Sequence, residues 1–259
     1  MPSVNHIEIS AEKCVGCSKC VLDCPGGHLY IENGKARAKE SGCIECGHCF
    51  AVCPAGAVEI AGYDSAYCEP VTPMSDFDSE KLLAAMRSRR SVRRFTAEPV
   101  TERELDMILE AGRCCPTAKN SQRVAYTILG SQQGDIEREC VSLFRRAAKL
   151  GSGLSERARN MNVTDDFFFK GAPLVIVVSA KEDVDAALAS SYMELMAESL
   201  GLGVLYSGYF IACTRMSAKV RDMLALPEGY KAVTCLVIGR PDVQYLRTAP
   251  RKTVNKTVL

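Results

Sequence analysis

The chain has 259 residues, 47% of them hydrophobic and 24% charged, enough for one large domain or for a small one followed by a medium one. A formal net charge of +1 removes any bulk electrostatic case for nucleic acid or a membrane surface. The longest apolar run, residues 172–180, is about half a membrane span, and the first ten residues lack the basic-then-apolar pattern of a secretory signal.

Eight of the fourteen cysteines fall in two arrays, CVGCSKCVLDCP at 14–25 and CIECGHCFAVCP at 43–54, related by an offset of 29 residues. Thiols packed this tightly suit metal thiolates in a reducing compartment rather than disulfides, so a cytoplasmic location is expected. Three cysteines two residues apart can wrap one face of an iron–sulfur cube. The fourth lies too far along the loop to close the same cube and ligates the other one. That assigns one [4Fe–4S] cluster to Cys14, Cys17, Cys20 and Cys53, and the second to Cys43, Cys46, Cys49 and Cys24. Zinc knuckles lack the third cysteine in register and the Cys-Pro ending. Residues 5–62 resemble the bacterial two-cluster ferredoxins. The expected domain, 1–64, is too short to bury a sufficient core, so the clusters would serve as part of it. It is net acidic, which suits a basic redox partner or simply a solvated face. His28 and His48, inside the cluster loops, are expected to tune or shield rather than ligate.

Residues 65–79 carry prolines, acids and no periodicity, and read as a linker. A second domain is expected over 80–259. Helices are predicted from Ser79, capped by Ser79 or Asp78, and from Thr101, where Thr101 and Glu104 are spaced as a capping box. Strands are predicted at 124–130, 173–180 and 232–239, with a long helix at 183–200. Helices interleaved with a few strands predict an α+β or α/β layer domain. RSRRSVRRF at 87–95 is either a phosphate site or a solvated basic patch. CPTAKNSQ at 115–122 is either a hydrogen-bonding site or a plain loop. GLGVLYSGYF at 201–210 either lets backbone approach a flat ligand or is a helix stop before a buried strand.

In this order and at these intervals the segments resemble the nitroreductase family of FMN flavoproteins. Arg89, Arg90, Ser91, Arg93 and Phe95 match its opening R-R-S-x-R-x-F/Y segment. Pro116, Thr117, Asn120 and Gln122 match its P-S/T-x-x-N-x-Q loop, and Gly201–Phe210 its G-L-G and aromatic stretch. Ile238, Gly239, Pro241, Arg251 and Lys252 match its closing turn and late basic pair. Arg123 and Val124 depart from the usual P-W. The resemblance implies a three-layer α/β/α domain, hence an α+β chain with a ferredoxin-like two-cluster domain in front. It also implies a homodimer with FMN at the subunit interface. Arg89, Arg90, Ser91, Arg93 and Arg251 would bind at the phosphate end, and Tyr206, Ser207 and Gly208 would run along the flavin ring. Pro116, Thr117 and Asn120 would reach FMN from the other subunit, and the small residues Ala186, Ala187, Ala189 and Ser190 would form dimer core.

The function expected is an oxidoreductase. Electrons from a low-potential redox protein or NAD(P)H would pass through the clusters to FMN and on to a small acceptor such as a nitroaromatic or quinone. An iron–sulfur flavoprotein carrier or sensor serving a protein partner is the alternative. No protein nucleophile is expected. Residues 149–171, ending in Phe167, Phe168 and Phe169, are either a lid with an aromatic wall or a loop anchored to the core. The other six cysteines, Cys68, Cys114, Cys115, Cys140, Cys213 and Cys235, are read as structural.

Overall fold

The architecture was obtained as a computed structural model describing residues 7–150 and 162–259. The chain forms two units: Met1–Asp76 with the short segment Ala118–Ser121, and Phe77–Thr117 with Gln122–Leu259.

In the first unit the repeated sequence makes a repeated structure. Strand β1 (Ile7–Ile9) pairs antiparallel with β4 (Val58–Ile60), and β2 (Leu29–Glu32) with β3 (Lys35–Ala38). Between β2 and β3, Asn33 and Gly34 both take positive φ, 48° and 73°, which suits the right-handed twist of a tight hairpin. Each cysteine array ends in one turn of helix, α1 (Lys19–Leu22) and α2 (His48–Ala51), entered through a left-handed residue, Ser18 or Gly47. Gly16 is needed at its position: a Cβ there would sit 2.2 Å from the Gly34 carbonyl oxygen. Among the described residues, the fully buried core is Ile7, Leu29, Ala36, Ala57 and Val58 with Cys14, Cys20 and Cys49. So small an apolar core fits the expectation that clusters complete it.

In the second unit the strands β5 (Val124–Ile128), β6 (Leu174–Ala180), β7 (Gly203–Tyr206) and β8 (Lys231–Gly239) form one antiparallel sheet in the order β5-β6-β8-β7. Every residue of β6 is buried, because helices cover both faces. On one face lie α4 (Glu102–Arg113) and α6 (Asp183–Ser199), packing Ile108, Ala189, Met193 and Ala197 onto Leu174, Ile176, Leu236 and Ile238. On the other lie α5 (Gln133–Leu150), α7 (Gly208–Met216) and α8 (Ala218–Met223), with Ile136, Phe210 and Val220 against Val175, Val177 and Val237. This is the three-layer arrangement expected. The Thr101–Glu104 capping box is present. Asp78, not Ser79, caps α3 (Ser79–Ser88), accepting from the Lys81 N–H.

Two local expectations change, and for the phenylalanines one of the two alternatives holds. Residues 208–210 begin a helix rather than continuing a strand. Ala186, Ala189 and Ser190 are buried within their own subunit. Their small size lets α6 approach its own sheet, where Ser190 Oγ donates to the Ala186 carbonyl and bonds Thr234 Oγ1; of the four residues expected in a dimer core, only Ala187 is exposed. Phe168 and Phe169 are anchors: both are fully buried, and their N–H groups donate to Glu137 Oε1 at 2.9 Å. The part of the 149–171 lid at 151–161 lies outside the described residues. Among the described residues, no helix is long and apolar enough to cross a membrane.

Candidate functional site

Among the described residues, two cavities of the first unit are lined by cysteines. Cys24, Cys43, Cys46 and Cys49 line one; Cys14, Cys17, Cys20 and Cys53 line the other. The fourth cysteine of each array has thus crossed to the partner loop. Charge proximity gives the same grouping, since Cys20 feels Cys14 and Cys53 while Cys43 feels Cys46 and Cys24. Main-chain donors are already aimed at sulfur: Ala36 N–H at Cys14 (3.4 Å), His28 N–H at Cys24 (3.2 Å), Glu45 N–H at Cys43 and Ala57 N–H at Cys53 (both 3.3 Å). The Ala36 and Gly16 amides, with Lys35 and Arg37 nearby, hold the Cys14 thiol below its usual range. Burial pushes the Cys49 thiol up to about 11, so a bound cation must supply the charge that makes it a thiolate. Four sulfurs around a cavity, served by N–H donors, fit an iron–sulfur cube.

In the second unit, Ser91 forms an isolated parallel bridge with Val204, and the Val92 N–H donates to the Val204 carbonyl at 3.1 Å. The arginine-rich segment is therefore strapped along β7, the edge strand of the sheet, two residues before Tyr206. Closeness is essential there. A Cβ at Gly203 would lie 2.4 Å from Val92 Cγ2 and 2.8 Å from Val92 Cβ. Gly203→Ala should accordingly cost about 2 kcal/mol by overpacking; an unchanged thermal midpoint would show that the strap yields freely.

Arg89 turns inward. Its Nη1 donates to Glu194 Oε1 at 2.5 Å, and the Tyr206 hydroxyl donates to Glu194 Oε2 at 3.4 Å. Arg90 lies over the Tyr245 ring, 5.9 Å from its centroid, and Arg93 Nη1 donates to the Ser91 carbonyl at 3.4 Å. Arg94 pairs with Asp242. Arg251 is exposed on the irregular carboxyl-terminal segment. Ser207 is buried as the residue before α7, its side chain making no capping bond. A Cβ at Gly208 would meet nothing within 4 Å, so backbone there is open to a ligand. A strap with guanidinium and hydroxyl donors beside an open helix start fits a phosphorylated flavin.

Thr117 Oγ1 accepts the Gln122 N–H at 2.9 Å, closing the base of a loop in which Lys119, Asn120 and Gln122 all have φ near +50°. Within the first unit, the Asn120 amide donates to the Glu45 carbonyl at 2.8 Å. Pro116 is exposed. The structural reading of the spare cysteines agrees with the burial of Cys115, Cys140, Cys213 and Cys235; Cys68 and Cys114 are exposed.

Glu194 and Glu198 were not singled out from the sequence. The available signal was two acids at i and i+4 in the carboxyl-terminal half of a helix rich in small and apolar residues. Burial pushes both carboxyls up, Glu198 to about 7, and Glu198 Oε1 has no hydrogen-bond partner among the described residues. A carboxyl whose folded pKa is raised makes the fold lose stability as pH climbs from the unfolded value, near 4.5, through about 7. Glu198→Gln should therefore raise the thermal midpoint above neutral pH and leave it unchanged at acid pH. Equal midpoints across the range would show that Glu198 is not buried as a charge.

A family model for the nitroreductase family matches residues 86–240, and one for a 4Fe-4S dicluster domain matches residues 6–65. An FMN reductase (NADPH) of Bacillus subtilis (strain 168) is 27% identical over 177 residues, covering 60% of this chain and 63% of that protein. An NADPH-flavin oxidoreductase of Vibrio harveyi is 25% identical over 161 residues, covering 60% of this chain and 63% of that protein. This chain thus spans less than two thirds of either relative. Among solved structures, a nitroreductase with bound FMN from Bacteroides fragilis NCTC 9343 is 22% identical with a TM-score of 0.57, covering 69% of this chain and 98% of that one.

Proposed function

We propose that this chain, which belongs to the nitroreductase family, is an FMN-dependent oxidoreductase that takes its electrons through two built-in [4Fe–4S] clusters. The observation that carries the reading is the pair of four-cysteine cavities in one chain with a nitroreductase-fold unit whose arginine strap runs along the edge strand of its sheet. When bound, the clusters supply one-electron transfer, and FMN supplies the conversion between single electrons and electron pairs.

The residues do the holding. Arg89 keeps further N–H donors beyond the one on Glu194. With Arg90, Ser91, Arg93 and Arg251 it would bind the FMN phosphate. Tyr206, Ser207 and Gly208 would line the flavin ring, and Pro116, Thr117 and Asn120 would complete the site from the second subunit of a homodimer. The acceptor is a small organic molecule such as a nitroaromatic or quinone; for a nitro group, two electrons and two protons give the nitroso compound and water. The donor is a low-potential redox protein or NAD(P)H, and the thiolate chemistry suits the cytoplasm.

Protein purified without oxygen should contain about eight irons and one acid-released FMN per chain. It should reduce a nitroaromatic from a reduced ferredoxin-type donor far faster than Cys14→Ala. Eight irons but no flavin, even after FMN is offered, would sink the flavoenzyme reading. Full cofactors with no turnover, but fast exchange with a redox protein, would point to an electron carrier instead.

A further inference from the structure

The internal repeat supplies its own control. An offset of 29 from His28 leads to Ala57, and the backbone uses the two positions alike. The His28 N–H donates to Cys24 Sγ at 3.2 Å, and the Ala57 N–H to Cys53 Sγ at 3.3 Å. His28 lines the cavity of Cys24, Cys43, Cys46 and Cys49; Ala57 lines that of Cys14, Cys17, Cys20 and Cys53. The backbone is repeated, but the side chain is not.

His28 is 3% exposed, and its main chain is held at both ends, since its carbonyl also accepts the Lys39 N–H at 2.9 Å. Its Nε2 is buried with no hydrogen-bond partner among the described residues. A buried polar atom is normally partnered, and Ala57 shows that a methyl group suffices for packing at the equivalent place. An iron–sulfur cube in the cavity would present thiolate and sulfide sulfurs, which accept hydrogen bonds and donate none.

We propose that His28 donates Nε2–H to a sulfur of the cluster held by Cys24, Cys43, Cys46 and Cys49, and thereby raises that cluster's reduction potential. The inference rests on the two-cluster reading above. A donor to sulfur stabilises the more negative, reduced cluster over the oxidised one. The other cluster lacks this donor and has Lys35 and Arg37 beside Cys14 instead. The two clusters are thus tuned by different means.

The test is an EPR-monitored redox titration of the full chain, comparing wild type with His28→Ala, His28→Leu and His28→Gln. Leucine keeps bulk without a donor, and glutamine restores an N–H. The expected result is full iron in every protein. One of the two potentials should be more negative in the alanine and leucine variants, and should move back towards wild type with glutamine. Two unchanged potentials, or glutamine behaving as leucine, would overturn the role. So would loss of iron from all three variants, since His28 would then be structural. A wild type without clusters would fail earlier, by its iron content, and take the cluster reading with it.

Discussion

Cys53→Ala should strip iron from the cavity of Cys14, Cys17 and Cys20, and not from the array in which Cys53 itself stands. The reason is the crossing of the fourth cysteine. Cys53 lines the cavity of the first array, and its sulfur already accepts the Ala57 N–H there. Iron should fall from about eight to about four per chain, and the remaining EPR signal should match that of Cys14→Ala rather than Cys43→Ala. A match to Cys43→Ala would mean that each array closes its own site. The loss should also lower the melting temperature of the first unit. Among the described residues its buried apolar core is a few side chains around the cysteines, so binding free energy of the clusters is folding free energy.

Arg89→Ala should destabilise the second unit strongly, by about 3 kcal/mol. It leaves Glu194, whose side chain is 8% exposed, without its cation and one helical turn from Glu198. Burial already pushes the Glu194 carboxyl up, and Arg89 only partly offsets this. Without Arg89 the folded-state pKa rises further. Stability is then retained at acid pH, where Glu194 is protonated folded and unfolded, and is lost as pH rises through the folded value. Adding Glu194→Gln should restore most of the stability, because the uncompensated charge is gone. On the proposed function it should not restore bound FMN, because the phosphate donor is still missing. If denaturation at alkaline pH shows Arg89→Ala as stable as wild type, the ion pair carries no stability. If the double variant binds FMN normally, Arg89 has no part in the phosphate site.

This cluster also connects the arginine strap to the sheet. Tyr206 and Arg89 reach the same carboxylate from two segments, β7 and the strap, while Ser91 and Val92 hold those segments in register. Arg89, Ser91 and Tyr206 are thus set by a side-chain network and a backbone bridge together, on a strand whose other edge is locked into β8.

The cysteine arrays specified their own chemistry from the sequence alone, since thiolate spacing along one loop limits which sulfurs can share a cube. The α4 capping box, the long helix and the hydrophobic strands were equally legible, because each depends on contacts within one turn or on a short period. The tertiary structure decided what depends on neighbours far along the chain. Ala186, Ala189 and Ser190 read as small residues for a subunit interface until the sheet beneath them was seen. The sequence shows Arg89 in an arginine-rich segment, but its pairing with Glu194 of α6, across 105 positions, is visible only in the fold. His28 and Ala57 occupy equivalent places in the repeat, and only the fold shows that His28 lines a four-cysteine cavity with its Nε2 buried. Spacing is local and can be read from sequence; burial and charge pairing are set by what folds against a residue, and that the sequence does not display.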